Sequence, residues 1–381
     1  MEGRRVNNRG ASNPGLDFHT KATSSTTIHL PATQIPSAFA FRTTQPSGMS
    51  SPTAKAANKA TAVLAQGDAV VRASTIPAVL RFPIVVTLSL TLSALLYSVA
   101  AEYTAGDLAR VSRTLDQWWQ VSVLIGWRTF ELGLGWFGDY DGYDLASLSL
   151  LSHGPPLYLL GSFYEIHPVT VISSLLIDAL ATYIPFRLLR PLSLAHSAST
   201  SKHSLTVRNK DIITSNSIQI YTTILAGSIY AVTLFTSYTT FLPVYLVTYF
   251  DGIPSIAAAH TNSIITLFPT TFLLGLAAKS FIFTPTITAS PTDEDVQIAA
   301  FHPETATLEE TFWFNVWGYN SRKKVMIKRT ATLMLVTGVN TFVQTFVTID
   351  GVEAVGAVVY SAVWVTAALI TGVTLGLVGD V

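Results

Sequence analysis

Several residues that could carry chemistry lie inside long apolar stretches of the chain. A strongly polar side chain inside a membrane-spanning segment is costly, so it lines a pathway, pairs with another polar group or joins two helices. The candidates are Arg128, Glu131, Ser174, Asp178, Thr182, Asn262, Thr266, Asn340 and Gln344. Asp178 is the most informative of them, because a lone carboxylate is costlier to bury than an amide or a hydroxyl.

Three of these stretches place their polar residues at helical spacing, on one face each. Such faces predict either a water-filled route for a small polar solute or ion, or interhelical hydrogen bonds without transport. The first face is Ser174, Asp178 and Thr182; the second is Asn262, Thr266 and Thr270; the third is Thr337, Asn340, Thr341, Gln344 and Thr348.

Arg128 and Glu131 lie near the middle of the apolar stretch 121–138. They are three residues apart, so a helix would place both on one face, where they can pair. We expect the pair to face protein and not lipid, because each charge near the centre of a spanning helix costs about 2.5 to 3.5 kcal/mol. The pair either fixes the orientation of the helix or takes part directly in function.

Other motifs fail the structural requirements of the chemistry that they suggest. The run from Gly133 to Gly138 has the glycine spacing of a dinucleotide fingerprint, but it ends an apolar helix and follows no strand. The stretch DYDGYD, 139–144, has its glycine misplaced for an EF-hand, so we expect a solvated loop. The histidines show no metal-ligand spacing, and no Ser-His-Asp set occurs. The sequence predicts no enzyme, no catalytic residue, no metal site and no cofactor.

The composition is that of a membrane protein. Hydrophobic residues make up 49% of the 381 residues and charged residues only 12%, which is more apolar than a soluble domain. The formal net charge is zero, so there is no global basic surface for nucleic acid. Cysteine is absent, which excludes disulfides and thiolate chemistry. We predict an all-α polytopic transmembrane bundle whose main partner is the lipid bilayer.

Hydropathy and charge together predict the number of crossings. Two stretches, 121–138 and 145–163, are doubtful spans because the first is charged and the second contains Pro155 and Pro156. Lys and Arg near span ends mark the cytoplasmic side. Arg72 and Arg81 place the start of the first span there, and the basic residues of the loop after residue 186 place that loop there too. An even number of crossings must lie between these points, so the doubtful stretches cross together. The six clear spans are 80–101, 168–187, 214–236, 262–283, 330–349 and 353–378. Together with the two doubtful stretches they give eight crossings, with both chain ends on the cytoplasmic side.

Four regions follow from this topology. Residues 1–76, rich in Ser, Thr, Ala and Pro, are predicted to be a disordered cytosolic tail. Residues 77–283 carry spans 1 to 6 and a basic cytoplasmic loop, 187–211. Residues 284–329 form a cytoplasmic loop, and residues 330–381 carry spans 7 and 8.

Two segments between the spans have helical or hairpin signatures. The stretch 307–319 has Thr307 and Glu310 at capping-box spacing and then a run of aromatic residues. It predicts an amphipathic helix at the membrane interface, although a partner-binding helix would look similar. The segment 241–254 is too short to span and predicts a re-entrant or interfacial hairpin.

Gly372 and Gly376 in the last span are four residues apart. This small-residue spacing is typical of closely packed helices, either inside one bundle or between two chains. A homo-oligomer through the last helix therefore stays open.

Three stretches resemble an uncharacterised multi-pass membrane family of filamentous fungi, with similarity over roughly residues 80–375. They are SHGPPLYLLGSFYEI, LIDALATYIPFRLLRP and TFWFNVWGYNSRKKVMIKRT. The resemblance implies that the basic and aromatic segments belong to one polytopic protein, and it implies no activity, ligand or site.

Two functions fit these features. The first is a transporter or channel for a small polar solute or ion, with Asp178 at its centre. The alternative is a non-transporting membrane scaffold or assembly factor that uses the interfacial helix and the cytoplasmic loops. We predict a plasma membrane or endomembrane location; a mitochondrial membrane is the alternative, because the first residues are poor in acids.

Overall fold

The computed structural model describes residues 77–104, 106–197, 209–292, 295–296, 298, 300–302, 304 and 306–379. The predicted disordered tail, 1–76, lies outside the described residues, as do residues 198–208 of the predicted basic loop. Within the described residues the regular secondary structure is helical, apart from two isolated bridges between extended segments.

In the described part of the chain, eight long helices form the bundle. Six of them, all except α2 and α3, are long and apolar enough to cross a membrane. These six correspond to the six clear spans, which confirms the all-α polytopic fold. The eight helices are α1 (Ala78–Thr104), α2 (Trp118–Phe137), α3 (Gly142–Phe163), α4 (Pro168–Leu189), α5 (Asn216–Thr240), α6 (Ile264–Thr288), α7 (Ser321–Thr348) and α8 (Ala354–Gly379).

The two doubtful stretches are also continuous helices. α2 has 20 residues and α3 has 22, and at a rise of about 1.5 Å per residue either could reach across a hydrocarbon core of about 30 Å. They run in opposite directions, joined by the turn at 138–141. Neither helix is among the six that are long and apolar enough to cross a membrane, so the crossing of both stretches stays a prediction.

All eight helices run between the same two ends of the bundle. One end, here named the basic end, contains 138–141, 190–197, 209–215, 289–292 and 306–320; Arg190 binds Asp139 there, and Asn209 donates to the Ile287 carbonyl. The other, the acidic end, contains 106–117, 164–167, 241–263 and 349–353. Antiparallel bridges join Ser112 to Ile349 and Phe250 to Val352 at this end. The assignment of the basic end to the cytosol stays a prediction.

Local sequence fixes where several helices begin. α4 begins with Pro168, whose missing N–H would have no helical acceptor at that position. Ser263 caps α6 by accepting a hydrogen bond from the Thr266 N–H. Thr307 and Glu310 form the predicted capping box of a short helix, Leu308–Trp317, named here the aromatic helix.

Pro155 and Pro156 lie inside α3 without ending it. Because proline has no N–H, the carbonyls of Leu151 and Ser152 lose their helical donors. Side chains of α7 replace them: Thr337 Oγ1 donates to the Leu151 carbonyl at 3.4 Å, and Asn340 Nδ2 donates to the Ser152 carbonyl at 2.9 Å. These two members of the α7 polar face therefore join helices, and they allow α3 to continue through both prolines.

Glycines allow the closest helix contacts. A Cβ added at Gly275 of α6 would lie 2.5 Å from the Gly227 nitrogen of α5. On α8, a Cβ at Gly372 would overlap Thr330, and one at Gly376 would lie 2.6 Å from Met326. Gly372 and Gly376 thus pack α8 against α7 of the same chain, the first of the two alternatives that their spacing left open.

Three boundaries differ from the predicted ones. α6 continues through a π-helical turn to Thr288 and not only to residue 283. α7 begins at Ser321 and not at residue 330, because Arg and Lys are good helix formers that hydropathy excludes from a span. The segment 241–254 contains a helix, Leu242–Tyr249, and then the extended residue Phe250.

Candidate functional site

A cavity of about 360 Å³ lies between α1, α2, α3, α4 and α7. Its wall is amphipathic: polar groups gather near the middle of α2 and α4, and leucines cover much of the rest. The polar lining includes Tyr97, Arg128, His153, Ser174, Asp178, Gln344 and Thr348. Four of the predicted intramembrane residues, Arg128, Ser174, Asp178 and Gln344, therefore meet at one site.

Arg128 and Glu131 form the predicted ion pair at the base of this cavity. Arg128 Nη1 lies 2.9 Å from Glu131 Oε2, and Glu131 is only 1% exposed. Arg128 Nη2 also donates to Thr182 Oγ1 at 2.6 Å and to the Asp178 carbonyl at 3.4 Å. The expectation that the pair faces protein is confirmed, and the guanidinium connects α2 to α4.

The carboxylate of Asp178 is much less engaged than that of Glu131. Tyr97 of α1 donates its hydroxyl to Asp178 Oδ1 at 3.2 Å. Within the described residues no other donor reaches this carboxylate. Asp178 thus presents a hydrogen-bond acceptor and a formal negative charge to the cavity.

The α7 polar face divides between two roles. Asn340 is fully buried, accepts a hydrogen bond from Trp127 Nε1 at 3.0 Å and donates to α3, so it joins three helices. Gln344 and Thr348 instead line the cavity, where α7 ends in a π-helical turn. Such turns are frequent at functional sites. The side-chain amide of Gln344 makes no hydrogen bond to the part of the chain that the structure describes.

The second predicted face does not reach the cavity. Asn262 ends a short helix, Ala257–Thr261, and Thr266 belongs to the capping box of α6 at the acidic end. Thr266 is exposed on the outside of the bundle. Because α6 begins at Ile264, Asn262 lies outside it and does not share the helical face that periodicity predicted.

His153 is a cavity residue that the sequence analysis did not propose. It is 7% exposed, and its Nδ1 lies 3.2 Å from the Ser149 carbonyl, to which it can donate. Its Nε2 then remains an acceptor with no partner among the described residues. The sequence did offer a signal, because His153 lies within the apolar stretch 145–163 and a histidine within a span is a candidate functional residue.

The cavity extends toward one end of the bundle only. Leu108, Ser112 and Ile349, which line it, belong to the acidic end. Toward the basic end it stops at Arg128, whose partner Glu131 also accepts a hydrogen bond from Ser152 of α3. No described residue of the basic-end segments lines it. Among the described residues, the lining of the cavity therefore reaches the acidic end and not the basic end.

A second polar cluster lies at the basic end and corrects the interpretation of the stretch 139–144. The expected solvated loop is wrong for Asp141 and Asp144, which are 1% and 0% exposed. Asp141 caps α3 through the Asp144 N–H, and Asp144 receives both Nη1 and Nη2 of Arg329 at 2.6 and 3.0 Å. Arg329 also donates to the Phe281 carbonyl and lies over the Tyr140 ring. Arg329 of α7, which is far away in sequence, offsets the cost of burying the Asp144 carboxylate.

His196 completes this basic-end cluster. Its Nδ1 lies 2.8 Å from Asp141 Oδ2, which also accepts hydrogen bonds from the backbone and side chain of Ser193. Asp141, Asp144 and His196 are close enough for metal ligands. A cation would, however, have to displace Arg329 from Asp144, so we interpret the cluster as a structural ion-pair network.

The contact between His196 and Asp141 predicts a pH dependence of stability. Burial alone lowers the pKa of His196, but the hydrogen bond and charge of Asp141 outweigh it and raise that pKa above its usual 6.5. A raised histidine pKa stabilises the fold below about pH 6.5, and that stability is lost as pH rises through the folded-state pKa. The melting temperature of wild type should therefore exceed that of His196→Gln most at about pH 5.5 to 6.

The pH effect is checked by melting curves of both proteins from about pH 5 to about pH 9. His167→Gln is the matched control, since His167 is exposed, and it should show no such trend. A His196→Gln deficit that is constant with pH would contradict the ion pair.

The fold and the site define a polytopic membrane protein with a polar cavity between its helices and an ion-paired basic end. Residues 215–378 match the family model described as the bouquet formation protein 3 C-terminal domain. The match covers less than half of the chain and includes α5 to α7, most of α8 and the aromatic helix. Gln344 lies inside it, whereas Arg128, His153 and Asp178 precede it. No curated protein and no solved structure matches the chain.

Proposed function

We propose that the protein is a non-transporting membrane scaffold that binds a protein partner through its aromatic helix. The observation that carries this proposal is the apolar surface of that helix. Phe312, Trp313, Val316 and Trp317 are 56, 59, 47 and 41% exposed. An exposed cluster of large apolar side chains of this kind is typical of an interaction surface.

The position of the aromatic helix supports this function. Phe314, on the helix's other side, stacks on Phe301 with ring centroids 3.9 Å apart, so the helix is attached to its own loop. The next helix, α7, begins at Ser321 and is held by the buried pair of Arg329 and Asp144. A fixed bundle thus presents the exposed aromatic side chains at its basic end.

Three further findings favour a scaffold over a transporter. Two of the predicted intramembrane polar residues, Asn340 and Thr182, are used in hydrogen bonds between helices. The described lining of the cavity does not reach the basic end, so it traces no route from end to end. The matched family is described as a formation protein, and this description favours assembly over transport.

Site-specific crosslinking tests the scaffold proposal. A photoreactive amino acid at Phe312 should give a discrete protein adduct in cells, and Trp313→Ser with Trp317→Ser should reduce its yield by about tenfold, since aromatic residues dominate interface energetics. The same probe at Leu180, an exposed position in the middle of α4, is the control and should give lipid adducts. Lipid adducts alone at Phe312 would show that the helix only rests on the membrane.

The transporter alternative keeps one specific observation in its favour. Asp178 and Gln344 face the same cavity and are largely unpaired there. Transport of a polar solute would require the pair of Arg128 and Glu131 to open toward the basic end. Solute flux in proteoliposomes that Asp178→Asn abolishes would support this function over the scaffold.

A further inference from the structure

We propose that the cavity binds the head group of a cationic amphiphile, a long-chain molecule with a protonated amine, and that this ligand enters from the bilayer. The proposal does not depend on the scaffold function, and it differs from transport because the ligand need not cross the bundle. Four properties of the cavity lead to it.

The first property is a surplus of acceptors. Asp178 accepts one hydrogen bond, from Tyr97, and has further acceptor capacity toward the cavity. His153 is more than nine-tenths buried and has a free Nε2 when Nδ1 donates to Ser149. The side-chain carbonyl of Gln344, on α7, adds a further acceptor. An ammonium group has three donors and no acceptor, so it matches this set.

The second property is charge. Arg128 and Glu131 compensate each other at 2.9 Å. Asp178 lies beside them without a cationic side chain within salt-bridge distance in the described part of the chain. The formal charges of Arg128, Glu131 and Asp178 sum to one net negative charge, and a low-dielectric environment strongly favours its neutralisation by a bound cation.

The third property is the apolar wall. Leu90, Leu124, Leu157 and Leu160 line the cavity together with the polar residues. A hydrated inorganic cation would leave these leucines against water, whereas the first methylene groups of a long chain would cover them. The volume of about 360 Å³ falls at the lower end of the range of small-molecule sites, which suits a head group and the start of a chain.

The fourth property is the position of the cavity beside α1, most of whose residues are not buried. Only Val85 and Ser89 of this helix are buried. At the basic end α1 meets α2 through the ring of Phe82, which packs on Trp136 and Phe137. The cavity lies between the other halves of the same two helices, where the rest of the ligand can extend into lipid.

Ligand-dependent melting of the purified protein tests the proposal. Hexadecylamine should raise the melting temperature by several degrees at saturation, because a ligand that binds only the folded state stabilises it. Hexadecanol, palmitate and butylamine are the comparison ligands. Hexadecanol lacks the charge, palmitate has the opposite charge, and butylamine lacks the chain, so each should give a much smaller shift.

Variants of the cavity locate the bound amine. Asp178→Asn should weaken hexadecylamine binding by at least about tenfold, whereas Asp211→Asn, at an exposed basic-end position, should leave it unchanged. Leu90→Trp should also abolish binding, by filling the cavity without altering its charge, and it serves if Asp178→Asn does not fold.

Three outcomes would overturn the proposal. Equal shifts with hexadecanol would show that the chain alone binds, and equal shifts with butylamine would indicate an aqueous solute. Unchanged amine binding in both Asp178→Asn and Leu90→Trp would place the amine elsewhere on the protein.

Discussion

Asp144→Asn should destabilise the protein by about 3 to 5 kcal/mol, the cost of removing one partner from a buried ion pair. Asp144 is 0% exposed and binds both terminal nitrogens of Arg329. In the variant the guanidinium keeps the Phe281 carbonyl and the Tyr140 ring, but it loses its counter-charge. Chemical or thermal unfolding in detergent, at matched protein and lipid concentration, measures the difference.

The double variant Asp144→Asn with Arg329→Met separates charge from packing. This variant removes both charges. It keeps a polar side chain at position 144, near the α3 cap, and places an apolar side chain of similar length at position 329, so much of the stability should return. Asp139→Asn is the matched control: Asp139 also binds an arginine, but it is 90% exposed. Asparagine tolerates its positive φ of 57°, so the control should cost no more than about 1 kcal/mol. Equal effects of the two single aspartate variants would contradict the buried pair.

Arg128→Ala and Glu131→Ala should each cost about 3 to 5 kcal/mol as well, because each leaves one unpaired charge inside the bundle. Replacing both residues with leucine should recover much of the loss, since two leucines suit this environment better than one orphan charge. The charge-swapped double variant should recover less, because Arg128 also donates to Thr182 on α4 and a glutamate at position 128 cannot. Expression level and unfolding midpoint in detergent report these differences.

A surface pair with the same spacing provides the control for Arg128 and Glu131. Arg110 and Asp107 are also three residues apart and lie 3.0 Å from each other, but the Arg110 side chain is 69% exposed. Arg110→Ala should therefore cost no more than about 1 kcal/mol. If Arg128→Ala were equally mild, the guanidinium would not be buried against protein, and the crossing of α2 would lose its main support.

The sequence alone determined the elements of this protein and several of their contacts. Hydropathy identified the six clear spans, because a spanning helix needs a length and an apolar content that can be counted directly. Short-range spacing also sufficed for the capping box of Thr307 with Glu310 and for the pair of Arg128 with Glu131, because helical geometry fixes which side chains are neighbours three residues apart.

The tertiary structure decided what each polar face contacts. Asn262 and Asn340 both belong to predicted polar faces. Asn262 follows the end of a short helix, whereas Asn340 donates a hydrogen bond to the Ser152 carbonyl, which has no helical donor because of Pro156. The sequence around Asp144 predicts a solvated loop, but in the folded protein Arg329 of α7 binds its carboxylate. Spacing along one helix specifies a face but not its neighbour. The neighbour depends on how all eight helices pack, and that packing determines whether a polar residue lies at the surface, joins two helices or lines the cavity.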